Sequence, residues 1–394
     1  TVPFRFEDMG EMALKNLPGP VRVHRVRWAE SFIRATASAA MPAGTDVDAD
    51  RYGPVPLYHK SEFLGGAAAY LAHAINGFFD NGGDYCYVVA IKANLADALS
   101  SMARLIEALD LTRALTDVDL LAIPDAHALV DASGAAIEPM VLQVQRAMIQ
   151  HCNDSGTRCA ILDAMRGKAT QALIDGHVRA LGVSATGPVN AALYHPWIRT
   201  IGSGSQLVPP SGQMCGIIAR TDAQVGVFKA PANAEVQDAT DIEADLDFDA
   251  LSLLTESGVN CIRIFPARGI RVWGARTLSI DPQWRYLNVR RLILTLLRWI
   301  DLNMTWAAFE PNVPALWARI ERELNTYLTG LWRSGALQGD FASEAFLVRC
   351  DAELNPAEGR ESGQVVTEIS LAPATPAEFI VVTVQHRAGT TELT

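Results

Sequence analysis

Four carboxylates in the segment DLDFDALSLLTE have a spacing that suits cation binding. Asp245, Asp247, Asp249 and Glu256 fall at positions 1, 3, 5 and 12 of a calcium-loop template. The template needs glycine at position 6, where the chain turns sharply, and an aliphatic residue at position 8. Here those places hold Ala250 and Ser252, and Asp249 followed by ALSLL reads instead as the capped start of a helix. Gly202-Ser203-Gly204-Ser205 offers backbone amides for a phosphate, yet no Lys-Ser/Thr follows, so the stretch reads as a linker. The eight histidines are scattered, with no HExxH and no pair at i, i+4, and there is no GxSxG elbow. The expectation is a non-enzymatic protein with no catalytic residue, no metal and no cofactor.

The six cysteines, Cys86, Cys152, Cys159, Cys215, Cys261 and Cys350, lie mostly in apolar runs such as YCYVVAI and RCAILDA, without a CxxC. They are expected to be buried free thiols in a core large enough to need no staples.

Charge is distributed unevenly. All five lysines precede residue 230, and Glu235 to Glu256 holds eight acids without a cation. Cys261 to Arg333 then carries eleven arginines against five acids. Within it, GVNCIRIFPARGIRVWGARTL (Gly258 to Leu278) alternates Arg263, Arg268, Arg271 and Arg276 with Ile, Phe, Val and Trp, the pattern of a period-2 strand with arginines on one face. Buried arginines need carboxylates, because an unpaired buried charge is too costly. The acidic stretch upstream, with Asp245, Asp247 and Asp249, is placed to supply them, within the chain or from a neighbour. Arginine's planar fork suits such fixed pairs better than lysine's mobile ammonium.

The elements that must hold these residues read as α/β. Ala67 to Asp80, Leu95 to Leu109 and Pro139 to His151 have helical apolar spacing, and Tyr85 to Ile91, Asp119 to Ile123 and Arg158 to Leu162 are short β-rich runs between them. That alternation predicts a parallel or mixed sheet with helices packed on it. Ala40 to Tyr58, rich in Pro, Gly and Asp, reads as an exposed loop, and Pro196 to Gly212 as a junction dividing domains at 1–200 and 205–394. Two long amphipathic helices follow, Asn288 to Asn303 and Val313 to Ser334, and three strand-like runs close the chain: Ala345 to Cys350, Val365 to Leu371 and Phe379 to Gln385.

Composition limits the alternatives. With 394 residues, 49% hydrophobic and 20% charged, the chain can bury a large core, and its net charge of −11 argues against nucleic acid as a partner. No apolar run approaches the roughly 20 residues of a membrane helix, so no membrane insertion is expected.

At Gly258 to Leu278 a family resemblance enters. This segment, then WRYLNVRRL, FEPNVPALWARI, LWRSGALQG and PAEFIVV, resembles the sheath protein of contractile phage tails and related contractile injection systems. LVPPSGQMCGIIARTDAQVGVFKAPAN upstream, YLAHAINGFFDNGG and LLAIPD fit the same family. The resemblance is dense from about 205 to 385 and thinner before 200. It implies a structural subunit that stacks with its own copies around an inner tube and contracts to drive the tube into a target envelope. Implied partners are further sheath copies, the tube, a baseplate and a terminal cap. Implied too are assembly in the bacterial cytoplasm and a place in a phage tail or tail-like particle.

The resemblance further implies a variable outer domain, 1–200, and a conserved inner domain, 205–394. Terminal arms that add strands to neighbours' sheets also follow from it, with Phe379, Ile380, Val381, Val382, Thr383 and Val384 as the lending segment. Family members usually begin with an arm of some twenty residues before the first domain strand; this sequence starts near that strand, Val2 to Phe6. Since the conserved domain would lie innermost, Arg290, Arg291 and Arg298 are expected to face an acidic tube, or else to pair with Asp301 or acids of neighbouring sheath copies. Two other classes compete, a phosphate- or nucleotide-using α/β enzyme and a static shell protein.

Overall fold

The computed structural model describes residues 4–12, 21–28, 70–89, 97–115, 117–183, 187–307, 310–358, 365–376, 384–387 and 390–393. The chain divides into two compact units, 1–305 and 306–394.

The first unit is built on a five-stranded sheet. Its strands are β4 (Leu120–Leu121), β5 (Cys159–Asp163), β6 (Ala191–His195), β10 (Val259–Phe265) and β11 (Gly269–Trp273), in the order β11-β10-β6-β5-β4. Strands β4, β5, β6 and β10 are parallel, and β11 returns antiparallel. Both faces of the central strands are covered, which explains why CAILD and AALYH are apolar throughout rather than alternating. Side chains still sort by parity. Ala160, Leu162, Ala191, Leu193, Val259 and Cys261 enter one core with α2 (Ala98–Leu111), α3 (Glu138–Ser155) and α5 (Phe248–Glu256). Cys159, Ile161, Ala192, Tyr194 and Ile262 enter the other with α4 (Ser211–Gln224) and α6 (Leu287–Asn303). This is the helix-on-both-faces mixed sheet that the alternation predicts.

Two smaller sheets complete the unit. β1 (Phe4–Met12), β2 (Val21–Trp28) and β3 (Tyr85–Val88) form an antiparallel meander, and β7 (Ile198–Thr200) pairs with β8 (Leu207–Val208) and β9 (Ala239–Ile242). The stretch read as a junction, Pro196 to Gly212, therefore lies inside this unit. The division expected at 200–205 and the observed one at 305 do not coincide, because β10 pairs in parallel with β6 across that point (Val259 with Leu193, Cys261 with His195).

Helix α1 (Leu71–Asp80) and α4 meet through glycine. A Cβ on Gly212 would lie 2.2 Å from the Ala74 carbonyl oxygen, and one on Gly216 2.3 Å from that of Phe78. Residue 74 faces 212 and 78 faces 216, so the helices run in the same direction, backbone against backbone. Their positive N-terminal ends lie together, and each is met by a buried carboxylate. Asp125 Oδ1 accepts from the Tyr70 and Leu71 amides (2.6 and 3.1 Å), and Asp163 Oδ1 from the Ser211 amide (2.7 Å). Burial pushes Asp125 up to about 6 and Asp163 up to about 7, with the backbone donors pulling the other way.

The second unit centres on α7 (Pro314–Arg333), whose Leu316, Ile320, Leu324 and Leu328 form one buried stripe. A two-stranded antiparallel sheet, β12 (Phe346–Arg349) with β13 (Glu368–Leu371), belongs to this unit, with Phe346 and Val348 buried. A separate hairpin pairs β14 (Val384–Arg387) with β15 (Thr390–Leu393).

Candidate assembly surfaces

Arginine decides where charge is available. Arg290 donates from Nε to Asn190 Oδ1 (2.5 Å), lies over the Trp284 ring (5.1 Å) and is buried. Arg291 forks onto both Asp222 oxygens (2.9 and 2.5 Å) with its side chain only 5% exposed. Arg298 binds Asp119 Oδ1 (2.6 Å) and the Val118 and Thr157 carbonyls (2.7 and 2.6 Å). The three arginines expected to face a tube thus form no open cationic patch. They tie α6 to α4 and to the loops that lead into β4, β5 and β6, through Asp222, Asn190, Asp119 and two main-chain carbonyls. Asp301 pairs with none of the three.

The arginines of 258–278 split differently. β10 and β11 form a hairpin that sets Arg263 directly opposite Arg271. Arg271 turns to Glu235 (3.7 Å) and the Asn233 carbonyl (2.7 Å), which relieves that like-charge pair. Arg263 and Arg268 lie over the Phe265 ring (5.3 and 5.7 Å), and Arg268 also donates to Asn233 Oδ1 (3.1 Å). Arg276 is buried, with Nη1 on the Thr255 carbonyl (2.8 Å).

No ion pair links these arginines to Asp245, Asp247 or Asp249 among the described residues. Asp247 caps α5 by accepting from the Ala250 amide (2.8 Å), two residues before the expected Asp249. The acids that do hold structure within the chain come earlier: Asp238 accepts from Asn81 and Gln213 (2.9 and 3.0 Å), Asp241 pairs with Arg199 (2.6 Å), and Glu243 takes the Gly167 amide (2.7 Å). Asp245, Asp247, Asp249 and Glu256 are exposed. Among the described residues no group of three His, Cys, Asp or Glu side chains could hold a metal, and no helix is long and apolar enough to cross a membrane.

All six cysteines are free thiols; five are buried and Cys86 is half-buried. Of the proposed strand-lending segment, Phe379 to Thr383 lies outside the described residues, and Val384 opens β14 opposite Leu393. One sheet with room for another strand is β12–β13, where two strands stand without a third among the described residues and Leu347 is 54% exposed; β14–β15 is likewise two-stranded.

The described residues form a mixed α/β architecture in which Arg290, Arg291 and Arg298 hold its own elements together. Comparison with known proteins places it. Family models for the phage tail sheath protein central domain and the phage tail sheath C-terminal domain match residues 107–278 and 279–387. The chain belongs to the phage tail sheath family.

Among solved structures, it is 29% identical to a chain of the anti-feeding prophage baseplate (TM-score 0.66, 80% of each chain). It is 30% identical to the sheath complex of an extracellular contractile injection system, PVC, in its contracted state (TM-score 0.63, 81% of this chain and 80% of that one). Among curated proteins, it is 25% identical over 180 residues to a prophage major tail sheath protein of Pseudomonas aeruginosa, and 26% over 185 residues to the tail sheath protein of Escherichia phage P2. Each of these matches covers 45% of the curated relative's length.

Proposed function

We propose that this chain polymerises with its own copies into a sheath around an inner tube and contracts to drive the tube into a target envelope. The observation that carries the reading is likeness to contracted sheath assemblies at 28–30% identity over about four fifths of the chain. Baseplate and terminal cap proteins are the further partners, with assembly in the bacterial cytoplasm as part of a phage tail or tail-like particle.

Copies are joined by strand addition, with Phe379 to Val384 of one copy lying along the open β12–β13 sheet of another. An added strand gains a row of main-chain hydrogen bonds that survives rigid-body rotation of the subunits. Half-buried Arg263 and exposed Arg268, with Asp245, Asp247 and Asp249, supply charge pairing between copies. Tube contact belongs to this reading without Arg290, Arg291 and Arg298 as its carriers.

Negative-stain electron microscopy of the full-length protein, alone and with its tube protein, tests the reading. Hollow cylinders of uniform width are expected, with a longer and narrower form when the tube is present. Small monodisperse particles in both samples would overturn it.

A further inference from the structure

The first unit contains a buried imidazole whose hydrogen bonds leave no place for a second proton. His177 is 1% exposed and sits in the π-helical turn Ile174–Val178, an irregularity of the kind that gathers at working parts of proteins. Its Nδ1 accepts from the Met165 amide (3.0 Å), so the ring proton is on Nε2, which donates to Gln145 Oε1 (2.6 Å). Gln145 in turn donates to the Asp163 carbonyl (2.8 Å), and His127 Nε2 meets the same oxygen (3.2 Å). A proton added at Nδ1 would face the Met165 N–H donor head-on and break that bond.

The surroundings offer such a proton no counter-charge. The groups nearest His177 are His127 from the 3-10 turn Pro124–Ala128, His195 from β6 and Lys168 from the loop after β5, all of which can only add positive charge. The Asp163 carboxylate at the end of β5 is turned to the Ser211 amide. From α3, Glu138 is paired with Lys168, and Arg146 donates to the Ala180 carbonyl (3.0 Å). On the π-turn itself, Asp175 is paired with Arg179, and Glu243, just after β9, is held by the Gly167 amide (2.7 Å) and Arg166 (3.8 Å). Burial, with the neighbouring imidazoles and Lys168 adding to it, holds His177 down to about 3, and burial holds His127 and His195 down to about 4.

We propose that His177 is an acid-released latch: its protonation frees residues 165–181 from α3 and the end of β5, opening this segment locally while the sheet stays folded. The sign follows from linkage. The closed segment excludes the proton and the open one accepts it near the ordinary histidine value of about 6.5, so closure is favoured at neutral pH and lost as pH falls below that value. Each imidazole freed makes opening about tenfold more favourable per pH unit. Leu173, Ile174 and Leu181, buried in the core shared with α3, oppose the release at neutral pH.

Hydrogen–deuterium exchange by mass spectrometry on the full chain at pH 7, 6, 5 and 4.5, corrected for intrinsic exchange rates, tests this. Amides of 165–181 are expected to lose protection progressively below pH 6, approaching but not exceeding about tenfold per unit for the one imidazole, while those of β6 and β10 hold theirs. His177→Asn keeps an acceptor for the Met165 amide but cannot titrate, and should flatten the pH dependence; His177→Gln is the alternative should the first lose protection already at pH 7. His127→Gln, which leaves the latch intact, should keep the acid response. Unchanged protection of 165–181 down to pH 4.5 in the wild type would overturn the proposal, as would a His177 variant, protected at pH 7, that opens in parallel with the wild type.

Discussion

The backbone-to-backbone seam between α1 and α4 should tolerate no side chain, and Gly212→Ala measures this directly. The added methyl would sit 2.2 Å from the Ala74 oxygen and 2.3 Å from its Cα, where real contacts stop near 3.0 Å. Since the obstacle is main chain, the helices must part by about 0.8 Å, a gap that forfeits a quarter to a half of the dispersion well along the seam. Overpacking of this kind costs about 1–3 kcal/mol, and moving α4 also strains the short Asp163–Ser211 bond at its start. Against this, alanine in a helix is worth about 1 kcal/mol over glycine, so a net loss of about 1 kcal/mol is expected.

Gly330→Ala in α7 is the control, because nothing lies within 4 Å of its Cβ position and only the propensity gain of about 1 kcal/mol remains. Urea unfolding followed by tryptophan fluorescence reads both. The reasoning fails if Gly212→Ala unfolds at the same urea concentration as wild type or higher while Gly330→Ala is stabilised.

Two further outcomes follow from single contacts. Asp222→Ala should lose about 3 kcal/mol because it leaves Arg291 buried and uncompensated, whereas Arg291→Met should lose less, since Asp222 is 28% exposed and can recover water; thermal melts of the two variants and their double mutant give the order. Ala267, in the hairpin turn after Phe265, has φ of 60°, a left-handed conformation that costs a residue with a Cβ about 1 kcal/mol, so Ala267→Gly should raise the melting temperature slightly where most glycine substitutions lower it.

Legibility followed the range of the forces involved. The two amphipathic helices were readable to within a residue or two, Asn288 to Asn303 against Leu287–Asn303 and Val313 to Ser334 against Pro314–Arg333, since one exposed face leaves a periodic trace. Helix α4 left none: its first eight residues, Ser211 to Ile218, are all buried, so SGQMCGII shows no alternation of face. β6 was hidden for the same reason, with five buried residues in a row.

The fate of the arginines was not legible at all. Net charge along 261–333 indicates a cationic surface, but Arg291 finds Asp222 at 69 positions' remove and Arg298 finds Asp119 at 179, and composition is silent on such partners. The Asp247 cap was visible in kind but misplaced by two residues, because DFDA offers two aspartates at suitable positions.

The strand order β10-β6-β5-β4 has a consequence for biosynthesis. Each parallel neighbour arrives only after an intervening crossover, and β10 is complete only some 145 residues after β4. At about 5–20 residues per second, translation leaves the unfinished sheet without its outer strands for roughly 7–30 s. Once β6 is made, a further 70 residues pass before β10 is complete, and until then the edge of β6 is bare and the core that includes Val259 and Cys261 is incomplete. Local contacts are too few to speed closure, so folding should be slow and late in synthesis. The sheet of the first unit can therefore close only after β10 and β11 have emerged, long after β4 and β5 are made.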